Sequence, residues 1–198
     1  GVGGTVLTSV VDNDVLALVG HGAVVAAGGG GGGIAAPNRT GKRKGIAVSA
    51  TSNETYVAIG VAGAGAGKAA VAAVVNTGVY TNNVHAIIYG GGRIDADSDN
   101  DSEGDLSTSA SSNSNIYVIA GSIDAGSVGV GATVSVLTYD KDVIASVNAY
   151  EAGTVHAHDV EVLAGDERVP ATIAVGETPD GIASTDRLYI FAVSIGAA

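Results

Sequence analysis

The chain has 198 residues and a formal net charge of −11, with 31 glycines, one Phe and no Trp, Met or Cys. That charge argues against a general nucleic-acid binder, which needs a basic face, and the lack of Cys removes thiol and disulfide chemistry, which fits a bacterial surface better than a disulfide-bonded animal module. Ala, Val and Gly dominate the apolar residues, so the expected core is thin and densely stacked, as in a parallel β-helix, and not the wide core of a helical bundle.

In chain order the same elements return. Gly1-Val-Gly-Gly-Thr-Val6 reappears as Gly129-Val-Gly-Ala-Thr-Val134. Val15-Leu-Ala-Leu-Val19, Val84-His-Ala-Ile-Ile88 and Val143-Ile-Ala-Ser-Val147 are versions of one segment, 69 and then 59 residues apart. Each follows a polar stretch that reads as a turn: Asp12-Asn-Asp14, Thr81-Asn-Asn83 and Asp140-Lys-Asp142. Ser49-Ala-Thr-Ser-Asn53 matches Ser109-Ala-Ser-Ser-Asn113 and, loosely, Ala183-Ser-Thr-Asp186, with Tyr56, Tyr117 and Tyr189 downstream. Self-similarity in fixed order marks a repeat architecture. The expectation is one all-β solenoid domain over 1–198, with copies at about 1–64, 65–127 and 128–198.

The repeated segments alternate with strand period. Val15, Ala17, Val19, Val84, Ala86, Ile88, Val143, Ala145 and Val147 should face inward, with His85 and Ser146 outward. Helix signals are poor. Gly63, Gly65 and Gly67 each cost about 1 kcal/mol against Ala in a helix interior, so residues 63–75 read as strand, like their counterpart Ser127 to Val136. Rungs of about 20 to 23 residues would give three rungs per copy, nine in all, and a stack roughly 40 to 45 Å long.

Two stretches at one repeat phase carry opposite charge. Residues 28–45 hold a glycine run, Gly28 to Gly33, followed by Arg39, Lys42, Arg43 and Lys44. Residues 95–105 hold Asp95, Asp97, Asp99, Asp101, Glu103 and Asp105. They should be the largest excursions, on one side of the stack and about three rungs apart.

The repeat grammar resembles that of very large bacterial surface proteins: filamentous-haemagglutinin-like exoproteins and the repetitive adhesins and leukotoxin-like proteins of fusobacteria. The resemblance implies a right-handed parallel β-helix, secretion to the outer surface, and no catalytic residues. It points to a structural and adhesive stalk segment whose partners are flanking repeats or identical subunits and, beyond them, host or neighbouring-cell surface molecules. A self-assembling filament subunit joined end to end is the alternative, and a polysaccharide lyase or hydrolase on the same fold is a third. Such an enzyme needs clustered charged residues on one sheet and aromatic sugar platforms, and here Trp is absent. Residues 194–198 end at nearly the repeat phase of 61–65, which suits a longer array or end-to-end stacking. Neither a signal peptide nor membrane insertion is expected from these residues.

Asp95, Asp97, Asp99, Asp101 and Glu103 are the candidate metal ligands, because alternating carboxylates supply the hard oxygens that Ca²⁺ prefers. The stretch is not an EF-hand loop: Ser102 and Thr108 stand where that loop needs Gly and Glu. A solvated acidic loop is the competing reading. His156 and His158 lack evident further ligands and read as surface residues, as do His21 and His85. Gly63 to Lys68 is no phosphate loop, since Ala62 and Ala69 replace the required Gly and Ser or Thr. The sequons at Asn38 and Asn53 read as chance.

Overall fold

The computed structural model describes residues 1–35, 41–101, 103–125, 127–147, 154–165 and 187–197. Among them there are strands and no helix. The first copy contributes β1 (Val2–Val19), β2 (Val24–Ala26), β3 (Ile34–Ala35) and β4 (Lys42–Gly65). The second contributes β5 (Ala69–Ile88), β6 (Arg93–Asp95) and β7 (Gly104–Ala125). The third contributes β8 (Val128–Val147), β9 (Thr154–His156), β10 (Val160–Ala164) and β11 (Arg187–Ala197).

Equivalent strands of successive copies pair in parallel. The sheets run β1-β5-β8, β2-β6-β9 and β10-β7-β4-β3, with β11 also on β7. Only β3 pairs antiparallel among the described strands, against the start of β4. The sequence spacing is the pairing register: Val15 lies beside Val84, and Val84 beside Val143. Val2, Val71 and Val130 likewise form one row, which places the repeated Gly-Val-Gly blocks in register two layers apart. Ser49 pairs Ser109 in the other long sheet. Tyr117 pairs Tyr189 but lies beside Val57, so Tyr56 is one position out of that row. Ala183 to Asp186 falls outside the described residues.

The rung count differs from the sequence expectation. Each copy forms one layer, not three rungs, because its long strands run 18 to 24 residues without a corner. Three layers span only ~10 Å between outer strands. The polar stretches at 12–14, 81–83 and 140–142 are therefore mid-strand, not turns. The true corners lie at 20–23, 66–68 and 89–92. Gly22 and Gly91, 69 residues apart, both adopt positive φ there (72° and 80°), a conformation that favours glycine.

Side chains alternate between the sheets and the outside along β1, β5 and β8, whereas Gly104–Ser112 of β7 are buried throughout. Val84, Ala86 and Ile88 are buried, and Val15, Ala17, Val19, Val143, Ala145 and Val147 pack partly buried against the same cluster. The predicted register thus holds, and the outer layers are half-covered because each has a neighbour on one side only. This cluster, with Val48, Ile94 and Leu106, fills the end closed by the short sheet. Ala62, Ala72, Val74 and Ala120 fill the opposite end, where small side chains let the long sheets approach.

Between these apolar ends the interior is polar. Asn13, Asn82 and Lys141 occupy one inward row across β1, β5 and β8. Asn13 Nδ2 donates to Asn82 Oδ1 at 3.1 Å and to the Glu54 carboxylate. Ser52 Oγ and the Tyr56 hydroxyl each donate to Glu54 at 2.6 Å. Burial, and then the Glu54 hydrogen bond, raise the Tyr56 pKa. Asn82 Nδ2 donates to Ser112 Oγ at 2.8 Å, Tyr139 donates to Ser114 Oγ at 2.7 Å, and Lys141 Nζ donates to the Ser112 carbonyl at 2.9 Å. A buried polar row is tolerated because its groups find partners on the facing sheet.

Candidate functional site

The glycine-rich and acidic stretches meet, as their shared repeat phase predicts, but in adjacent layers and not three rungs apart. Lys44 pairs Gly104 in the β4–β7 ladder, and Gly45 pairs Asp105. The Gly29 amide donates to Asp99 Oδ1 at 3.0 Å. A side chain at Gly28 or Gly29 would strike Asp99 or Asp101. The glycine run is thus what lets the first copy's backbone lie against the acidic turn of the second. Asn100 holds positive φ (54°) at the tip of that turn, a conformation Asn tolerates better than most residues.

The carboxylates of this stretch divide into separate groups. Asp97, Asp99 and Asp101 bring oxygens within 4.8 Å of one another. Asp97 is buried, while Asp99 and Asp101 are exposed. Desolvation raises the Asp101 pKa, a hydrogen bond with Asp97 and the charges of Asp99 and Asp97 add to the rise, and the Glu103 amide opposes it. Such a trio is chemically suited to a hard divalent cation, which would relieve the repulsion.

Asp95 and Glu103, predicted as ligands with them, point elsewhere. Asp95 is buried between Arg93 Nη2 at 2.6 Å and His156 Nδ1 at 2.9 Å. Its pKa is lowered by the His156 hydrogen bond first and the Arg93 hydrogen bond second. Glu103 forms an ion pair with Lys44. The acidic stretch is therefore not a uniformly solvated loop, since Asp95, Asp97 and Asp105 are all buried.

A second group joins all three copies. Arg43 Nη1 lies 3.1 Å from both Asp105 Oδ2 and Asp159 Oδ2. His158 Nδ1 is 3.5 Å from Asp105 Oδ1. Asp105, His158 and Asp159 have ligand atoms within 4.8 Å, but the Arg43 guanidinium already pairs with both carboxylates. This group reads as a cross-layer clamp. His156 and His158 serve different carboxylates, so they do not act as a pair. His85 is not alone either: its Nε2 lies 3.2 Å from Asp142 Oδ2. The local sequence hides these partners, because each lies one or two copies away in the chain.

Among the described residues, the best-defined cavity is a shallow pocket beside Leu7, Ala58, Asn76, Tyr80 and Leu137, with no nucleophile–base pair lining it. No helix among the described residues is long and apolar enough to cross a membrane. A scan against family models, a search of curated proteins and a search of solved structures each found no match to this chain.

Proposed function

We propose that the chain is a structural stalk segment of a large bacterial surface protein, built as a right-handed parallel β-helix that contributes length and stiffness. The observation that carries this reading is the copy-on-copy pairing of β1, β5 and β8. It leaves one edge of β1 and one edge of β8 without a strand partner among the described residues. Open strand edges are templates for further pairing, and solenoids cover theirs with adjacent repeats or caps. Flanking repeats supply that cover in the stalk reading. Exposed apolar rows on the outside, Val2 with Val71 and Val130 among them, support an adhesive role, because contiguous apolar surface marks interaction sites.

A second reading is a filament subunit stacking end to end. It is favoured by the match of Gly129 to Val134 with Gly1 to Val6 at one register position, so that β8 of one molecule presents the pattern of β1 to the next. A head-to-tail contact of this kind does not close and yields a fibre.

The test is small-angle scattering on the chain and on a tandem fusion of two copies. Layered stacking predicts that the fusion grows in length at constant cross-section. A fusion whose cross-section widens, or which behaves as two beads, overturns the stalk. Sedimentation of the single chain that shows concentration-dependent elongation favours the subunit reading.

A further inference from the structure

Charge is segregated along the long strands. From Asp12 on β1 and Asp140 on β8 toward the short sheet, the outer surface carries the charged groups described above. In the other half, over 2–11, 57–79, 117–139 and 189–197, the only charged side chains are Lys68, in a corner, and Asp124, which is fully buried. We propose that this uncharged end inserts into a lipid bilayer. The inference names the partner of the adhesive role proposed above, and it rests on that reading only for the flanking layers that cover the edges of β1 and β8.

The two long sheets lie back to back over this half. Thr5 Oγ1 donates to the Val61 carbonyl at 2.7 Å, and the Tyr56 and Tyr80 rings lie 4.8 Å apart at the border with the charged half. Small inward side chains, Ala62, Ala72, Val74 and Ala120, fill the narrow space between the sheets. Strand alternation therefore turns the larger apolar residues outward on both sides. Val2, Val6 and Val10 of β1 and Val130, Val134 and Val136 of β8 are exposed on one outer face. Val57, Ile59, Val61 and Ile123 are exposed on the other. Hydropathy along the chain does not reveal such a surface, because every second residue faces inward.

Geometry selects lipid over protein as the occupant. A flat partner or a second copy covers one face, ~450 Å² at the usual strand dimensions, about half of the ~800 Å² per partner that a stable interface buries. It leaves the opposite face in water. A lipid phase covers both faces and the corner that joins them. The uncharged stretch from Val2 to Val11 is ~30 Å long, comparable with the ~30 Å hydrocarbon core of a bilayer. Backbone groups that enter hydrocarbon need internal partners, and the ladders supply them: β5 and β7 each have a strand on both sides. The outward row Asp12, Asp14, Asp140 and Asp142 marks where insertion stops. Its carboxylates favour a zwitterionic surface over an anionic one.

Flotation of the full chain with phosphatidylcholine vesicles tests the proposal. The chain should rise with these vesicles, and less with vesicles rich in phosphatidylserine. Val6→Asp on one face and Ile59→Asp on the other, each checked for unchanged strand content by circular dichroism, should reduce the floated fraction about tenfold, as a charge brought into hydrocarbon does. Leu18→Asp, also on an exposed residue but in the charged half, should leave it unchanged. The chain has no Trp, so Val6→Trp and Leu18→Trp each provide a single depth probe, and brominated lipid should quench the first and spare the second. A chain that stays in the soluble fraction overturns the proposal, as does equal quenching of the two probes. Flotation lost on changing one face and kept on changing the other overturns it too, because a one-faced contact is not insertion. A dimer in vesicle-free solution that Val6→Asp dissociates makes a second copy the occupant instead. Flotation of a chain whose tandem fusion fails to lengthen in scattering removes the stalk and keeps the lipid-facing end; a lengthened fusion that does not float does the reverse.

Discussion

The two halves of the interior are built on the same strands from different materials. At the end closed by the short sheet, Val48, Val84, Ile88, Ile94 and Leu106 exclude water. Midway along the strands, Asn13, Asn82 and Lys141 take the same inward positions and are satisfied by Glu54, Ser112 and the Ser112 carbonyl. Apolar packing contributes free energy in proportion to buried area and is tolerant of small slips. Hydrogen bonds to specific partners contribute less, but they lose their partners on any slip of the ladder. The apolar end therefore supplies most of the stability, and the polar row fixes which residue pairs with which.

The largest effect that sharpens this contrast is a cavity at the apolar end. Leu106, fully buried, should lose about 2–5 kcal/mol on Leu106→Ala. Leu18→Ala, on a residue 49% exposed, should stay within about 0.5 kcal/mol. In the polar row, Asn82→Leu removes the acceptor at 3.1 Å from Asn13 and the donor at 2.8 Å from the Ser112 hydroxyl, and should cost about 1–3 kcal/mol. Urea titrations followed by circular dichroism rank the three variants. A larger loss for Asn82→Leu than for Leu106→Ala would reverse the division of labour.

How much of this was legible in the sequence depends on the distance over which each feature is encoded. The alternation in Val84 to Ile88 fixed its inward face, and the spacings of 69 and 59 residues were the pairing register itself. Rung length was not legible, because Asp12-Asn-Asp14 has turn composition. Nothing local reveals that Asn13 turns inward to Glu54, a residue 41 positions away. The acidic stretch was legible as a cluster of charge but not as separate groups. The partners that divide it, Arg43, Lys44, His156 and His158, come from the neighbouring layers. Register offsets applied to charged residues would have found those pairs.

The outward row at the polar position bears on how molecules meet. Asp12 and Asp14 lie on β1, Asp140 and Asp142 on β8, and the intervening layer has the uncharged Thr81 and Asn83. Asn83 donates to Asp14 at 2.6 Å. Direct stacking of β8 on the β1 of another molecule would set four carboxylates side by side, and like charges across a ladder oppose pairing. Self-association should therefore strengthen with added salt, which screens such charges. Asp12→Asn with Asp14→Asn should elongate at low salt, where the wild type does not. Sedimentation velocity at two ionic strengths separates these cases, and salt-independent association would remove the carboxylate row from the contact.

The smallest expected effect contrasts two aspartates of the acidic stretch by pH. Asp95 has its folded pKa lowered by His156 and Arg93. Its contribution to stability is present above the ordinary value of 3.8 and is lost as pH falls through the lower folded value. Asp101 has its folded pKa raised, so the folded state binds its proton more tightly than the unfolded one. Its ionisation therefore destabilises the fold as pH rises from 3.8 through the higher folded value. Asp95→Asn should lower the melting temperature near neutral pH, and Asp101→Asn should raise it. Both differences should shrink in strong acid, where the carboxyl groups are protonated in either state. Ca²⁺ offers a second handle on the same group. If the cation seats on Asp97, Asp99 and Asp101, it raises the wild-type melting temperature and leaves Asp97→Ala and Asp99→Ala unmoved. A wild-type curve that ignores both Ca²⁺ and chelator leaves the trio as a repulsive turn held together by Gly29 and its own backbone.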